Sequence, residues 1–170
     1  MDSHGAVWLV VKTKPRQEER ARENLERQGY KVYLPKFSIK KRIRGEWRLV
    51  SEPLFPGYVF IHIALGEVSL APVRSTLGVN DLVRFGQQVV PVPEKVMSYI
   101  QWRESDALDN PQDTLPLSAG DKVDVLEGPF AGLPAIFQMT KGAERAMLMV
   151  SLLGRSNTVA VPLDHIAPAK

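Results

Sequence analysis

His4, His62 and His165 are the only imidazoles in a chain of 170 residues, and cysteine is absent. The histidines have no metal-ligand spacing, and without thiols neither a disulfide nor a thiolate metal site can form. Gly120-Asp121-Lys122 resembles the close of a phosphate loop only superficially, because the earlier glycine and the following Ser or Thr are missing. No Ser/His/Asp grouping falls on recognisable turns, so nucleophilic catalysis has no candidate. An enzyme is therefore not expected, and no cofactor or metal is implied. The chemistry within reach of these side chains is recognition.

Charge gives that recognition a direction. Residues 1–50 carry 13 Lys/Arg against 6 Asp/Glu, whereas residues 51–170 carry 9 against 13. Such a split suggests a nucleic-acid-facing N-terminal surface and a C-terminal part that avoids phosphate; an unevenly charged, solvated surface is the plainer alternative. Arg16, Gln17, Arg20, Asn24, Arg27 and Gln28 fall within one sector of ~120° if the segment is helical. Glu19, Glu23 and Glu26 fall on the far side. Arginines and amides on one face can hydrogen-bond or stack on splayed bases while their charge attracts the backbone. A second basic run, Lys31 to Arg48, holds seven Lys/Arg and one Glu, with Phe37, Ile39, Ile43 and Trp47 between them.

An alternating β/α unit would position these residues. Val7-Trp8-Leu9-Val10-Val11 reads as a buried strand, being short, apolar and β-branched. Pro15 and Gly29 then bracket a helix of about 14 residues. A second strand starts at Val32-Tyr33-Leu34, and Lys40-Lys41-Arg42-Ile43-Arg44-Gly45 reads as the tip of a protruding hairpin. After Pro53 and Pro56 a further strand places Tyr58 and Phe60 on one face. A short helix near Glu67–Arg74, a turn at Leu77-Gly78, a strand at Leu82–Phe85 and a helix after Pro93 complete the unit. Residues 104–117 are acidic and poor in apolar side chains, a linker by composition. From 118 to 168, short apolar runs between Gly and Pro turns suggest a small barrel. The fold class is α+β in two domains, 6–103 and 118–168. No run of ~18 apolar residues is present, so no membrane span is expected. The small, acidic start Met1-Asp2-Ser3-His4-Gly5 is unlike a signal peptide, and a cytoplasmic monomer is the expectation.

Two segments are specific enough to suggest a family. Ser51-Glu52-Pro53-Leu54-Phe55-Pro56-Gly57-Tyr58-Val59-Phe60, followed by Pro72-Val73-Arg74-Ser75-Thr76-Leu77-Gly78-Val79, resembles the core of the NusG N-terminal domain, a sandwich-like α/β module. Gly120-Asp121-Lys122-Val123 with Gly128-Pro129-Phe130-Ala131-Gly132-Leu133 resembles the KOW motif of an SH3-like barrel. The resemblance runs from Trp8 to about Ile166 in the family's order. It implies a transcription elongation factor whose N-terminal domain grips the clamp helices of the largest RNA polymerase subunit through an aromatic hollow. The matching positions are Leu54, Phe55, Tyr58, Phe60 and Phe85, some of which must also serve as domain core. The KOW domain of such factors contacts Rho or the ribosome.

Further details resemble the RfaH branch of that family: Val83-Arg84-Phe85-Gly86, Ala135-Ile136-Phe137 and Glu144-Arg145-Ala146-Met147-Leu148. That likeness implies an operon-specific antitermination factor whose C-terminal domain first forms an α-helical hairpin masking the hollow and later refolds into the barrel. The sequence supplies independent support. A barrel strand is due near residues 144–153, yet only Val150 there is β-branched. Ala, Leu, Met, Glu and Arg each favour helix by up to ~0.7 kcal/mol over weaker formers, enough in sum to tilt a balance between two packings; tertiary context overriding propensity is the alternative. In a closed form Glu52 and Arg145 align with the branch's interdomain ion pair, and Phe137, Met149, Leu152 and Leu153 would cover the hollow. The surface matching the branch's contact to the displaced non-template DNA strand is Lys14, Arg16, Gln17, Arg20, Asn24 and Gln28, with Arg74 and Thr76. Pro15, Leu77, Asn24 and Ser69-Leu70-Ala71 depart from the branch pattern, leaving the recruiting DNA element and the second polymerase contact open. Two other readings stand beside this one: a general NusG factor with a constant barrel, and an RNA- or ribosome-binding KOW protein with no polymerase role.

Overall fold

The computed structural model describes residues 6–64, 68–109 and 128–165, with side chains described outside 105–109 and 156–165. Its centre is a four-stranded antiparallel sheet in the order β2-β5-β1-β6, formed by β1 (Ala6–Thr13), β2 (Lys31–Tyr33), β5 (Tyr58–Ala64) and β6 (Val79–Leu82). β1 is apolar almost throughout because both its faces are covered. Leu9 and Val11 join Val59, Ile61 and Ile63 on one face, while Trp8 and Val10 join Phe60 on the other. The register Val10↔Phe60 and Lys12↔Tyr58 aligns Tyr58 with Phe60 as the period of two requires.

The first face is closed by α1 (Glu18–Arg27), which buries Ala21 and Leu25 against Val73, Val79 and Leu82. α1 is shorter than the spacing from Pro15 to Gly29 predicts, because Arg16 adopts a left-handed φ of 62° and the helix begins only after Gln17. Arg22 also sits among the glutamates, bonded to Glu19 and Glu26, so the acidic face is locally paired rather than uniformly negative. Gly78 has φ +90°, and a Cβ there would lie 2.8 Å from the Ala21 backbone nitrogen. Glycine at that turn thus permits both the conformation and the close approach of α1.

The basic run forms a separate hairpin, β3 (Lys36–Ile43) with β4 (Glu46–Pro53). Its two-residue turn is Arg44-Gly45 with φ 53° and 81°, the positive pair that matches strand twist. A short helix α2 (Ala71–Arg74) and a small ribbon of β7 (Arg84–Phe85) and β8 (Gln88–Val89) follow.

α3 (Glu94–Asp109) packs on the second face of the sheet. It enters the segment expected to be linker, and the reason is local to Glu104. That carboxylate accepts hydrogen bonds from the Tyr33 hydroxyl at 2.5 Å and the Lys36 amide at 2.9 Å. Burial, then the Glu104 hydrogen bond and charge, push the Tyr33 hydroxyl pKa far up. A residue that reads as linker by composition therefore pins α3 to β2 and β3.

Residues 128–165 take the helical one of the two forms foreseen for the C-terminal segment. Gly128-Pro129-Phe130-Ala131-Gly132, expected as a barrel turn, is a 3-10 helix running into α4 (Leu133–Ile136). Residues 144–153, where a barrel strand was due, lie within α5 (Gly142–His165). Buried Arg145, Ala146, Met149, Leu152 and Leu153 make one stripe of that helix. The Gly120-Asp121-Lys122-Val123 motif lies outside the described residues. No helix among the described residues is long and apolar enough to cross a membrane.

Candidate functional site

The turn between β4 and β5 builds the aromatic face. Pro56 and Gly57 (φ 90°) turn the chain, and the Tyr58 amide bonds the Phe55 carbonyl at 3.0 Å, a type II pattern. The buried Glu18 carboxylate accepts from the Gly57 amide at 2.7 Å, fixing the turn to the start of α1. The Leu54 amide in turn bonds the Pro35 carbonyl at 2.8 Å, holding the hairpin base. Leu54, Phe55 and Phe60 are buried, and Tyr58 and Phe85 are partly buried against the same cluster. All five residues expected to form the hollow are therefore brought together.

The C-terminal helices lie on this face. Phe130, Leu133, Ile136, Phe137, Ala146, Met149, Leu152 and Leu153 share one buried cluster with Phe37, Leu54, Phe55, Phe60 and α3 residues Val96, Met97, Tyr99 and Ile100. A cavity of only about 10 Å³ remains between Phe60, Val92, Val96 and Ile100 on one side and Phe130, Leu133, Met149, Leu152 and Leu153 on the other. That is close-packed, core-like contact. At two points α5 approaches closely at a glycine. A Cβ at Gly154 would stand 3.0 Å from the Phe85 ring, and one at Gly142 would stand 2.5 Å from Pro56.

Arg145 is the polar centre of the contact. Its side chain is fully buried. Nη2 donates to Glu52 Oε2 at 2.5 Å and to the Pro53 carbonyl at 3.3 Å, Nε to the Leu54 carbonyl at 2.8 Å, and Nη1 to the Met139 carbonyl at 3.0 Å. The guanidinium also stands 4.7 Å from the Phe37 ring centre. Lys41 Nζ lies 2.9 Å from the other Glu52 oxygen. Burial acts to raise the Glu52 pKa, but hydrogen bonds from Lys41 and Arg145, together with their charges, outweigh it and hold it below its usual value. Every polar atom of the pair thus finds a partner, the condition under which a buried ion pair is tolerated.

Phe137 makes a second anchor. Its ring meets Phe37 and Tyr99 edge-on at 5.8 and 5.7 Å. The buried Arg103 guanidinium lies 4.4 Å from the Phe137 ring centre and donates to the Tyr99 hydroxyl at 3.2 Å. Arg103 and Lys41 were not foreseen. The i, i+4 spacing of Tyr99 and Arg103 on a helix was the available signal for the first; the register pairs Lys41 with Arg48 and Glu52 with Phe37, so it gave no signal for the second.

The residues expected to touch DNA divide into two groups. Lys14, Arg16, Arg20 and Arg74 are exposed. Asn24, Gln28 and Thr76 instead tie α1 to the turn after α2. Gln28 Nε2 donates to Thr76 Oγ1 at 2.6 Å, Thr76 is buried and donates to the Pro72 carbonyl, and Asn24 donates to the Leu77 carbonyl at 3.4 Å. Gln17 is half-buried at the helix start. Asn24 and Gln28 therefore brace the cationic surface, and Gln28 remains exposed on it.

Comparison with known proteins supplies the family. Residues 6–101 match the family NusG, described as transcription termination factor nusG. The Thermus thermophilus transcription termination/antitermination protein NusG is 28% identical over 95% of this chain and 98% of its own length. A Streptomyces virginiae protein of the same description is 26% identical over 94% of this chain and 62% of its own. A solved structure titled "Domain interaction in Thermotoga maritima NusG" aligns with 76% of this chain and 77% of that one, at 25% identity and a TM-score of 0.47. With its N-terminal unit matched from the first described strand well into α3, the chain belongs to the NusG family of transcription termination and antitermination factors.

Proposed function

We propose that this chain is an autoinhibited, operon-specific transcription antitermination factor of RfaH type. One observation carries the reading: residues 128–136 and 142–165 are helical, and Phe130 to Leu153 of this segment cover the aromatic face that the family resemblance assigns to the polymerase clamp helices. A docking face closed at rest by its own chain stays idle until a second event frees it. In this reading residues 6–103 bind RNA polymerase through Leu54, Phe55, Tyr58, Phe60 and Phe85. Lys14, Arg16, Arg20 and Arg74 meet the non-template DNA strand, on a scaffold of Gln17, Asn24, Gln28 and Thr76. Glu52, Arg145, Phe137, Met149, Leu152 and Leu153 keep the cover closed. Once released, residues 118–168 refold as a KOW barrel and recruit the ribosome. The factor acts in the cytoplasm as a monomer, suppressing pausing and termination.

A general NusG factor, with a constant barrel contacting Rho or the ribosome, is the second reading. The near full-length match to the Thermus protein favours it. Crosslinking the chain to chromosomal DNA in growing cells separates the two. Occupancy confined to a few operons, together with co-purification of polymerase, is the expected outcome. Occupancy of most transcribed genes would overturn operon specificity, and failure to co-purify with polymerase would favour an RNA- or ribosome-binding role.

A further inference from the structure

The β3–β4 hairpin has two unlike faces. On one, Phe37 and Ile39 pack into the cluster and Lys41 bonds Glu52. Alternation places Lys40 and Arg42 on the other, directly opposite Leu49 and Trp47. Trp47 is 67% exposed and Leu49 51%. Lys40, Trp47, Arg48 and Leu49 line an open groove of about 470 Å³. An indole and an isobutyl group held in water on a two-stranded sheet serve no packing purpose, and such exposure marks a contact surface.

The charges around the groove say what the contact is. Lys36 and Lys41 are satisfied by Glu19 and Glu52, and Arg48 lies 3.6 Å from Glu46. Among the described residues no carboxylate lies within ion-pair distance of Lys40, Arg42 or Arg44. An open aromatic ring with an arginine directly opposite and a lysine beside it combines a stacking surface with anion attraction. A duplex would use the cations and leave Trp47 idle, since its bases are already stacked.

We propose that this face binds a single strand of nucleic acid, with Trp47 stacking an unpaired base, Leu49 packing beside it, and Lys40 and Arg42 holding the flanking phosphates. The site is apart from the α1 surface and from the face that the C-terminal helices cover, so it is open in the closed chain and does not depend on polymerase docking.

Fluorescence anisotropy of the full chain with a short labelled oligothymidylate, an oligouridylate and a duplex of equal length tests it. Trp47→Ala is expected to weaken single-strand binding about tenfold or more, with little effect on the duplex, while Trp47→Phe keeps most of the affinity. Bound strand quenches tryptophan emission in the wild type and much less in Trp47→Phe. Lys40→Ala with Arg42→Ala flattens the salt dependence by about 0.7 per lost phosphate contact. Arg20→Ala, on the α1 surface, leaves the Trp47-dependent loss intact. The two single strands show whether sugar identity matters. Equal single-strand affinity of Trp47→Ala and wild type would overturn the proposal. So would equal losses on single strand and duplex, or binding to vesicles of anionic phospholipid without binding to oligonucleotide.

Discussion

Replacing Arg145 with alanine should open the closed chain. The change removes three hydrogen bonds across the contact, to Glu52, Pro53 and Leu54, and the stacking on Phe37. Breaking a buried ion pair costs about 3–5 kcal/mol. The lower end applies here, because Glu52 keeps Lys41 at 2.9 Å and retains some solvent contact. About 3 kcal/mol shifts the closed-to-open ratio roughly a hundredfold. Glu52→Ala should open the chain at least as far, since it strands a fully buried guanidinium among carbonyls alone. The assay is capture of RNA polymerase without any DNA signal, read beside far-UV circular dichroism of the full chain. Both variants should capture more polymerase and lose helix. The charge swap, Glu52→Arg with Arg145→Glu, should not restore closure. A carboxylate at 145 would face the carbonyls of Leu54, Pro53 and Met139, and an arginine at 52 would face Lys41. Unchanged capture and helicity in Arg145→Ala, or full recovery in the swap, would refute this account of the latch.

Three further outcomes follow from the geometry. Gly154→Val adds bulk where a Cβ alone would stand 3.0 Å from Phe85, so it should destabilise closure by about 1–3 kcal/mol and raise polymerase capture with the ion pair intact. Gly78→Ala places a Cβ 2.8 Å from the Ala21 nitrogen at a φ of +90°; urea denaturation should show a loss of more than about 1 kcal/mol. Against burial, Lys41 and then Arg145 hold the Glu52 carboxyl below its usual value, and only the Arg145 share belongs to closure. That share is fully present above about pH 4.3 and is lost as pH falls through the lowered value. Helicity should hold from neutral pH to about pH 5 and fall only in stronger acid, and Glu52→Gln should remove that part of the titration.

Local patterns carried much of the fold into the sequence. Val7–Val11 reads as a doubly buried strand because it is one, and Leu77-Gly78 reads as a turn because only glycine fits beside Ala21. Tyr58 and Phe60 share a face through period alone. What the sequence hid were partners distant along the chain. Glu104 looks like linker until Tyr33 and the Lys36 amide stand against it. Thr76 and Gln28, 48 residues apart, show no sign in the sequence that they bond each other. Lys41 looks like one more cation on a basic hairpin, yet it completes the Glu52 site. Arg145 was legible only through family resemblance, since nothing in the local pattern marks a fully buried arginine on a helix.

The segment that forms the start of α5 explains why the barrel and the helix were both readable there. Ala146, Met149, Leu152 and Leu153 recur at helical spacing and are the residues buried against the aromatic face. Ala146, Leu148, Val150 and Leu152 also alternate at the period of a strand, and Leu148 and Val150 are only partly buried by the helix. Met147, at 72% exposure, gains nothing from closure. One stretch therefore carries two apolar faces, and the helix satisfies the first while leaving part of the second in water. Intrinsic preference in this stretch favours helix, but Arg145 is content only where Glu52 and the Leu54 carbonyl meet it. The closed packing of the helix is thus tied to contact with the N-terminal domain, and withdrawing that contact leaves intrinsic preference alone to hold the helical form. On the proposed function, a polymerase surface that competes for Phe60 and Phe85 would release Arg145 as well, and docking and refolding would be two sides of one equilibrium.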